Sequence, residues 1–217
     1  MAILGQFVAS KATNKTKVKR SPKRGAYDAQ TIHDILDADF VCQVAFVFDG
    51  YPVSIPTLYG RAENKLYLHG ATSSRMMKAI EAQQVCVSVT LIDGLVLARS
   101  AFHHSMNYRS VVVFGVPVKV SEQEKNKALK VISDHMLSGR WEDARLPNTK
   151  ELKATTVLEL SLEEASAKVR TGPPADDKED YGLNVWAGVV PIARQYGSPV
   201  SDETGVKHLE LPSYLKD

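Results

Sequence analysis

Two Asp-Gly pairs, Asp49-Gly50 and Asp93-Gly94, each stand between runs rich in β-branched and aromatic residues. Asp-Gly supplies the positive-φ backbone of tight hairpins, so each pair predicts two adjoining antiparallel strands. The first pair would join Phe40–Asp49 (FVCQVAFVFD) to Tyr51–Tyr59 (YPVSIPTLY), and the second Val85–Ile92 to Leu95–Ala101. Pro52 and Pro56 have no N–H to give a ladder, which puts their strand at an edge or a bulge. Further strands are expected at Leu66–His69, Tyr108–Val120, Thr155–Leu162 and Leu183–Pro191. Apolar residues at helical spacing predict a helix over Asp28–Asp37 with Asp28 as N-cap, and another over Arg75–Ala82. A third spans Ser121–Gly139, with Ser121 and Glu124 as a capping box and Gly139 as its stop. Leu162–Lys168 adds a turn of helix, and Thr171–Tyr181 is a loop. The order describes an α+β chain built on an antiparallel barrel of six or seven strands with flanking helices.

The net charge of +2 gives no bulk case for nucleic acid. The cations are uneven, however. Lys11, Lys15, Lys17, Lys19, Arg20, Lys23 and Arg24 precede the first acid, Asp28. Such an arm can touch an anionic surface; more often it is a solvated, partly ordered arm. Cys42 and Cys86 lie in apolar runs and read as free buried thiols, with neither a metal knuckle nor a redox pair. No apolar run reaches membrane-spanning length, and the N-terminus lacks the order of a signal peptide. A cytoplasmic location is expected. So are three sections: a basic arm over 1–25, a domain over 26–197 and a tail over 198–217.

The segment most suggestive of chemistry is Lys65–Ala79, KLYLHGATSSRMMKA. A strand runs through small residues into a helix beginning near Arg75. Helix N-termini carry unpaired N–H groups, and small residues admit a phosphate close to them. Ser73 and Ser74 add hydroxyls and Arg75 a guanidinium fork. The residues alone fit an ordinary helix cap equally well.

The stretch GYPVSIPTLYGRAENKLYLHGATSSRMMKAIEAQQVCVSVTLI resembles the flavin core of the pyridoxamine 5'-phosphate oxidase-like FMN-binding split-barrel superfamily, and within it the nitroimidazole-resistance-type branch. The resemblance spans roughly Ala26 to Pro191. It implies a split β-barrel, a homodimer with each flavin between subunits, and FMN as cofactor. The flavin-edge strand falls on Ser54, Ile55, Pro56 and Thr57, and the pair before the phosphate loop on His69 and Gly70. The phosphate arginine falls on Arg75, beside Ser73 and Ser74. Arg109 and Ser110 match a later contact strand, and Trp186 matches a C-terminal tryptophan that packs at the flavin across the dimer. Two departures stand out. Met76 replaces the lysine that usually follows the arginine, leaving Lys78 or Arg109 to help. Tyr196–Asp202 lacks the Arg/His cluster that binds the substrate phosphate, which argues against pyridoxamine phosphate.

His69 faces the implied flavin, or is a satisfied core histidine. His103 and His104 are adjacent, with no acid beside them in sequence, so no metal site is expected. Trp141 reads as a helix-end anchor. No GxSxG, HExxH or paired-carboxylate site is present. The chemistry would belong to the flavin, with no obligatory catalytic side chain. The expected function is an FMN-dependent oxidoreductase on a small electron-poor compound. The alternative is a non-catalytic flavin or haem carrier or sensor on the same fold.

Overall fold

The computed structural model describes residues 12–202, 204 and 209–215. Lys11 of the arm lies outside the described residues. The strands are β1 (Gly25–Ala26), β2 (Val41–Phe48), β3 (Tyr51–Ala62), β4 (Lys65–Ala71), β5 (Val85–Leu97), β6 (Ser105–Gly115), β7 (Val118–Lys119), β8 (Thr155–Ser161), β9 (Ala165–Arg170) and β10 (Gly188–Pro191). The helices are α1 (Ala29–Asp37), α2 (Arg75–Ile80), α3 (Lys125–Met136), α4 (Arg140–Asp143) and α5 (Thr149–Ala154). All pairings are antiparallel, in the order β1-β9-β6-β5-β2-β3-β4-β8-β7, with β10 on β5. The sheet curls round its core without closing, as a split barrel does. It has ten strands, not six or seven. The strands the sequence does not single out are β1 and β7, of two residues each and too short for an alternation pattern to register, and the six-residue β9.

Asp49-Gly50 makes the expected hairpin, with φ of 50° and 80° and Phe48 opposite Tyr51. Asp93-Gly94 does not. β5 runs straight through it, with a register shift between Ile92 and Gly94 against β6. Gly94 serves close approach instead, since a Cβ there would lie 3.0 Å from Val189 Cγ1 and from Val190 O on β10. The expected turn of helix at Leu162–Lys168 is also replaced, because β6 and β1 claim β9 from both sides. The Ser121–Glu124 box is half formed. Ser121 Oγ accepts from Glu124 N–H at 3.3 Å, but nothing returns the bond, and α3 starts at Lys125. The reciprocal box is at Asn148 and Glu151, opening α5. The last strand begins only at Gly188, not Leu183. Asp28 caps α1 as expected, accepting from Thr31 N–H at 2.8 Å.

The core gathers Ile32, Ile35 and Leu36 of α1 with Val44, Tyr59, Leu66, Leu68, Val87, Val111, Val113, Leu158 and Leu160 from the sheet. α3 lies directly on β3. A Cβ on Gly60 would sit 2.6 Å from Ile132 Cα and 2.7 Å from its N, so only glycine allows the two backbones this near. Cys42 is buried and Cys86 half-buried, both free. Burial pushes the Cys42 thiol up to about 12. Among the described residues no helix is long and apolar enough to cross a membrane.

Candidate functional site

The barrel splits between β3 and β4. The two pair only from Tyr59–Leu68 to Ala62–Lys65. Beyond that point β4 goes on alongside β8 to Ala71, whereas β3 keeps β2 as its partner. Tyr59 N–H bonds Phe40 O at 3.1 Å. By antiparallel alternation, Thr57, Ile55 and Val53 also face β2, and Leu58, Pro56, Ser54 and Pro52 turn their backbone groups to the open side. Both prolines therefore sit where no neighbouring strand calls for their N–H. Of the four flavin-strand residues, Ser54 and Pro56 present main-chain groups outward, while Ile55 packs on the core.

β4 ends in His69, Gly70 and Ala71, and the loop after it is stitched down. Thr72 N–H bonds Ala154 O at 2.8 Å and Ser74 N–H bonds Ala71 O at 2.8 Å. Ser74 Oγ caps α2, accepting from Met77 N–H at 3.4 Å. Gly70 makes room for Met77, whose Cγ would lie 2.8 Å from an added Cβ. α2 has only six residues, so its dipole is small, and an anion here must rely on side chains. Ser73 and Arg75 are exposed. Arg75 has no carboxylate partner among the described residues, and its guanidinium lies over the Phe48 ring, 4.6 Å from the centroid.

Within the split lies a pocket of about 480 Å³, floored by Leu58 and His69 and roofed by Leu129, Ile132, Ser133 and Met136 of α3, with Trp141, Leu146 and Pro147. Arg145 and Glu151 stand at its rim, joined at 2.7 and 3.1 Å. This bond and the Asn148 N–H hold the Glu151 carboxyl at about 2. The lining is apolar apart from the rim, Ser133, Thr155 and one imidazole. His69 Nδ1 is buried without a partner, and neither ring nitrogen is hydrogen-bonded among the described residues. Burial lowers its pKa, so the ring is neutral near pH 7, the form that ligates a metal. Trp141 lines this pocket and is not merely a helix-end anchor. Its role was illegible because α4 and β4 are about 70 residues apart in sequence.

Other expected site residues lie elsewhere. Arg109 pairs with Asp93 at 2.8–3.3 Å, in a second cavity of about 640 Å³ bounded by Phe40, Arg194 and Tyr196. Ser110 Oγ donates to Lys168 O at 3.3 Å. Trp186 is 66% exposed and folds back on Gly188, opposite Leu97 at the far end of β5. Thirteen extended residues, a path of up to about 40 Å along the strand, separate that end from the β5 start near Phe48. Within one chain, Trp186 is remote from Arg75. The acids missing beside His103 in sequence are supplied by the fold: Asp177 and Asp180 bring carboxylates to within 4.8 Å of it and of each other.

The sequence matches the pyridoxamine 5'-phosphate oxidase family model over residues 28–169, most of the chain. The chain belongs to that family. Among solved structures of this family's fold, it is similar to the flavocytochrome Anf3 from Azotobacter vinelandii. The identity is 40%, over 94% of this chain and 95% of that one, with a TM-score of 0.90. It is also similar to the FAD and heme binding protein from Mycobacterium smegmatis, at 35% identity over 88% and 95% of the two chains, with a TM-score of 0.85. A 5-nitroimidazole antibiotic resistance protein from Bacteroides thetaiotaomicron shares the fold at 22% identity, over 67% and 86%, with a TM-score of 0.57. No curated protein matches.

Burial lowers the pKa of His33, His69 and His135 alike. The unfolded chain takes up these protons near pH 6.5, and the folded chain only at lower pH. Stability conferred by the neutral rings is therefore complete above about pH 6.5 and falls as the pH drops below it. Melting temperatures measured from pH 7.5 to 5 should decline with acidification; a flat or rising profile would contradict this burial.

Proposed function

We propose that this chain is a flavocytochrome-type oxidoreductase. It holds a flavin along the open edge of β3 and a haem in the pocket beneath α3, with His69 as iron ligand. The observation that carries the reading is His69: one imidazole with a buried, partnerless Nδ1, in a pocket apolar apart from its Arg145–Glu151 rim, Ser133 and Thr155, next to a sheet edge with free main-chain groups. Such a pocket falls within the ~300–1,000 Å³ of cofactor sites. The names of the two relatives above 30% identity, a flavocytochrome and an FAD and heme binding protein, support the same pairing.

The residues fit both groups. Ser54 N–H and C=O and Pro56 C=O match the donors and acceptors along a flavin's pyrimidine edge. Ser73, Ser74 and Arg75 would meet the riboflavin 5'-phosphate, which FMN and FAD share. The resemblance implies FMN, whereas the FAD of the second relative favours FAD, and we take FAD as the cofactor. Arg145 at the pocket rim would meet a haem carboxylate by exchanging it for Glu151. When bound, the flavin supplies two-electron chemistry and the haem one-electron chemistry. The chain's own part is to position both and keep water from the pocket. The reductant's target is a small electron-poor molecule, and pyridoxamine phosphate is disfavoured by the bare Tyr196–Asp202 segment. A homodimer completes the reading, since Trp186 reaches a flavin only from the partner subunit.

The test is the absorbance of protein purified from haem-supplemented cells, with the extracted flavin identified by chromatography. Flavin bands with a Soret band are expected; protein that retains neither after reconstitution would sink the proposal. Arg75→Ala should weaken flavin binding by at least ~1.5 kcal/mol, because a charge-assisted contact to the phosphate is lost. Titration of the apoprotein checks this, and unchanged affinity would remove Arg75 from the site.

A further inference from the structure

The basic arm is not a loose tail over its described length. Thr13 Oγ1 donates to Glu164 Oε2 at 2.8 Å, and Thr16 is buried beneath it. Val18 N–H bonds the Tyr27 hydroxyl at 2.8 Å, and Val18 packs against Gly25. β1 then pairs Gly25 with Lys168 and Ala26 with Ala167 on β9. These contacts fasten the arm along the β9 edge and set its cations beside two more, Lys168 and Arg170.

Eight cations result: Lys15, Lys17, Lys19, Arg20, Lys23, Arg24, Lys168 and Arg170. Among the described residues none has a carboxylate partner, although most arginines elsewhere do. The nearby acids are already committed, Glu164 to Thr13 and Asp28 to the α1 cap. The arm cations are exposed, and Arg170 is half-buried, its terminal NH groups donating to Asn107 Oδ1 and to the Gly172 and Pro173 carbonyls while its Nε has no partner. Burial, and after it the charge of Arg24, lower the Arg170 pKa. The fold thus gathers like charges on one edge without neutralising them, an arrangement an anionic partner relieves.

We infer that this edge docks an acidic electron-carrier protein. The inference rests on the redox reading above. Five of the eight cations are lysines, point charges on flexible stems, suited to a transient, orientation-tolerant contact held mainly by charge. A nucleic acid is less well matched. Tyr27, half-buried, is the only aromatic residue between Ala12 and Asp28, so the arm itself offers no row of rings on which successive bases stack. β6, β5 and β2 lie between the β1–β9 edge and β3 in the strand order, so docking leaves the split open to a small substrate. Two one-electron carriers would be oxidised for each flavin taken, with two protons, to its two-electron reduced form.

The experiment measures binding of a reduced and of an oxidised acidic [2Fe–2S] ferredoxin to the full chain by calorimetry, at 20 and 200 mM salt. The wild type is compared with a K15Q/K17Q/K19Q/K23Q variant, whose altered side chains are exposed and unpartnered. Binding should weaken about tenfold with salt and about tenfold in the variant at low salt, with an unchanged melting temperature. Lys150→Gln, on exposed α5, should change nothing. No binding at 20 mM salt, equal binding by the variant, or tighter binding to DNA than to ferredoxin would each overturn the inference. Binding is read without turnover, and direct reduction by dithionite reports the cofactors separately, so a chain that lacks flavin fails that arm alone.

Discussion

Replacing His69 with alanine is expected to abolish haem retention while leaving the flavin in place. The pocket under α3 contains one metal-ligating imidazole, and its other walls come mainly from Leu58, Leu129, Ile132, Met136, Trp141, Leu146 and Pro147. Apolar contact would still attract a porphyrin, but without the iron bond the occupant is held by burial alone. The Soret band should fall from about one haem per chain to a small, exchangeable fraction. Flavin absorbance should persist, since Ser54, Pro56 and Arg75 are untouched. The apoprotein should lose little stability, because the substitution removes a buried nitrogen that has no hydrogen-bond partner. A variant that keeps full, tightly bound haem would displace His69 from its proposed role. Loss of both cofactors together with a collapsed melting temperature would instead mark it as structural.

Gly60→Ala should produce the largest loss of stability. Its Cβ would approach the α3 backbone at Ile132 to 2.6–2.7 Å and Val131 C to 2.8 Å. Backbone cannot rotate away as a side-chain tip can, so α3 must lift from β3. Overpacking of this kind costs about 1–3 kcal/mol, and more where the obstacle is rigid. At this chain length each kcal/mol lowers the melting temperature by roughly 2–4 °C. The pocket's roof is α3, so haem affinity should fall with stability, whereas the Arg75 loop should still bind flavin. Gly182→Ala, where an added Cβ meets nothing within 4 Å and φ is not positive, is the control and should be nearly silent. Comparable melting for the two variants would mean that α3 does not depend on Gly60.

These two sites differ in how far the sequence foreshadowed them. His69 stands out by its place at a strand end, yet its surroundings do not. Gly60 reads only as the start of a polar turn, whereas it lies inside β3 beneath a helix more than 60 residues later. Asp49-Gly50 and Asp93-Gly94 show the same limit. The two dipeptides are identical, but one turns a hairpin and the other continues a strand, because β10 arrives beside the second. Leu162–Lys168 carries a helical spacing that β6 and β1 override on either side.

What the sequence determined by itself is the local grammar. Alternation set the long antiparallel strands, and Asp28 set the start of α1. Pro52 and Pro56 marked β3 as a strand with one open side, and the small residues before Arg75 marked a loop an anion can approach. These are properties of a residue and its near neighbours, and local periodicity reports them. The tertiary structure alone decided where the sheet parts, that α3, α4 and the residues after them close over His69, and that Trp186 lies at the far end of β5 from Arg75. It also decided that the arm's cations join Lys168 and Arg170 along one edge. The physical reason is the same in each case. A pocket or a charged edge arises where elements distant in the chain pack together, and no window along the sequence contains both sides of the contact.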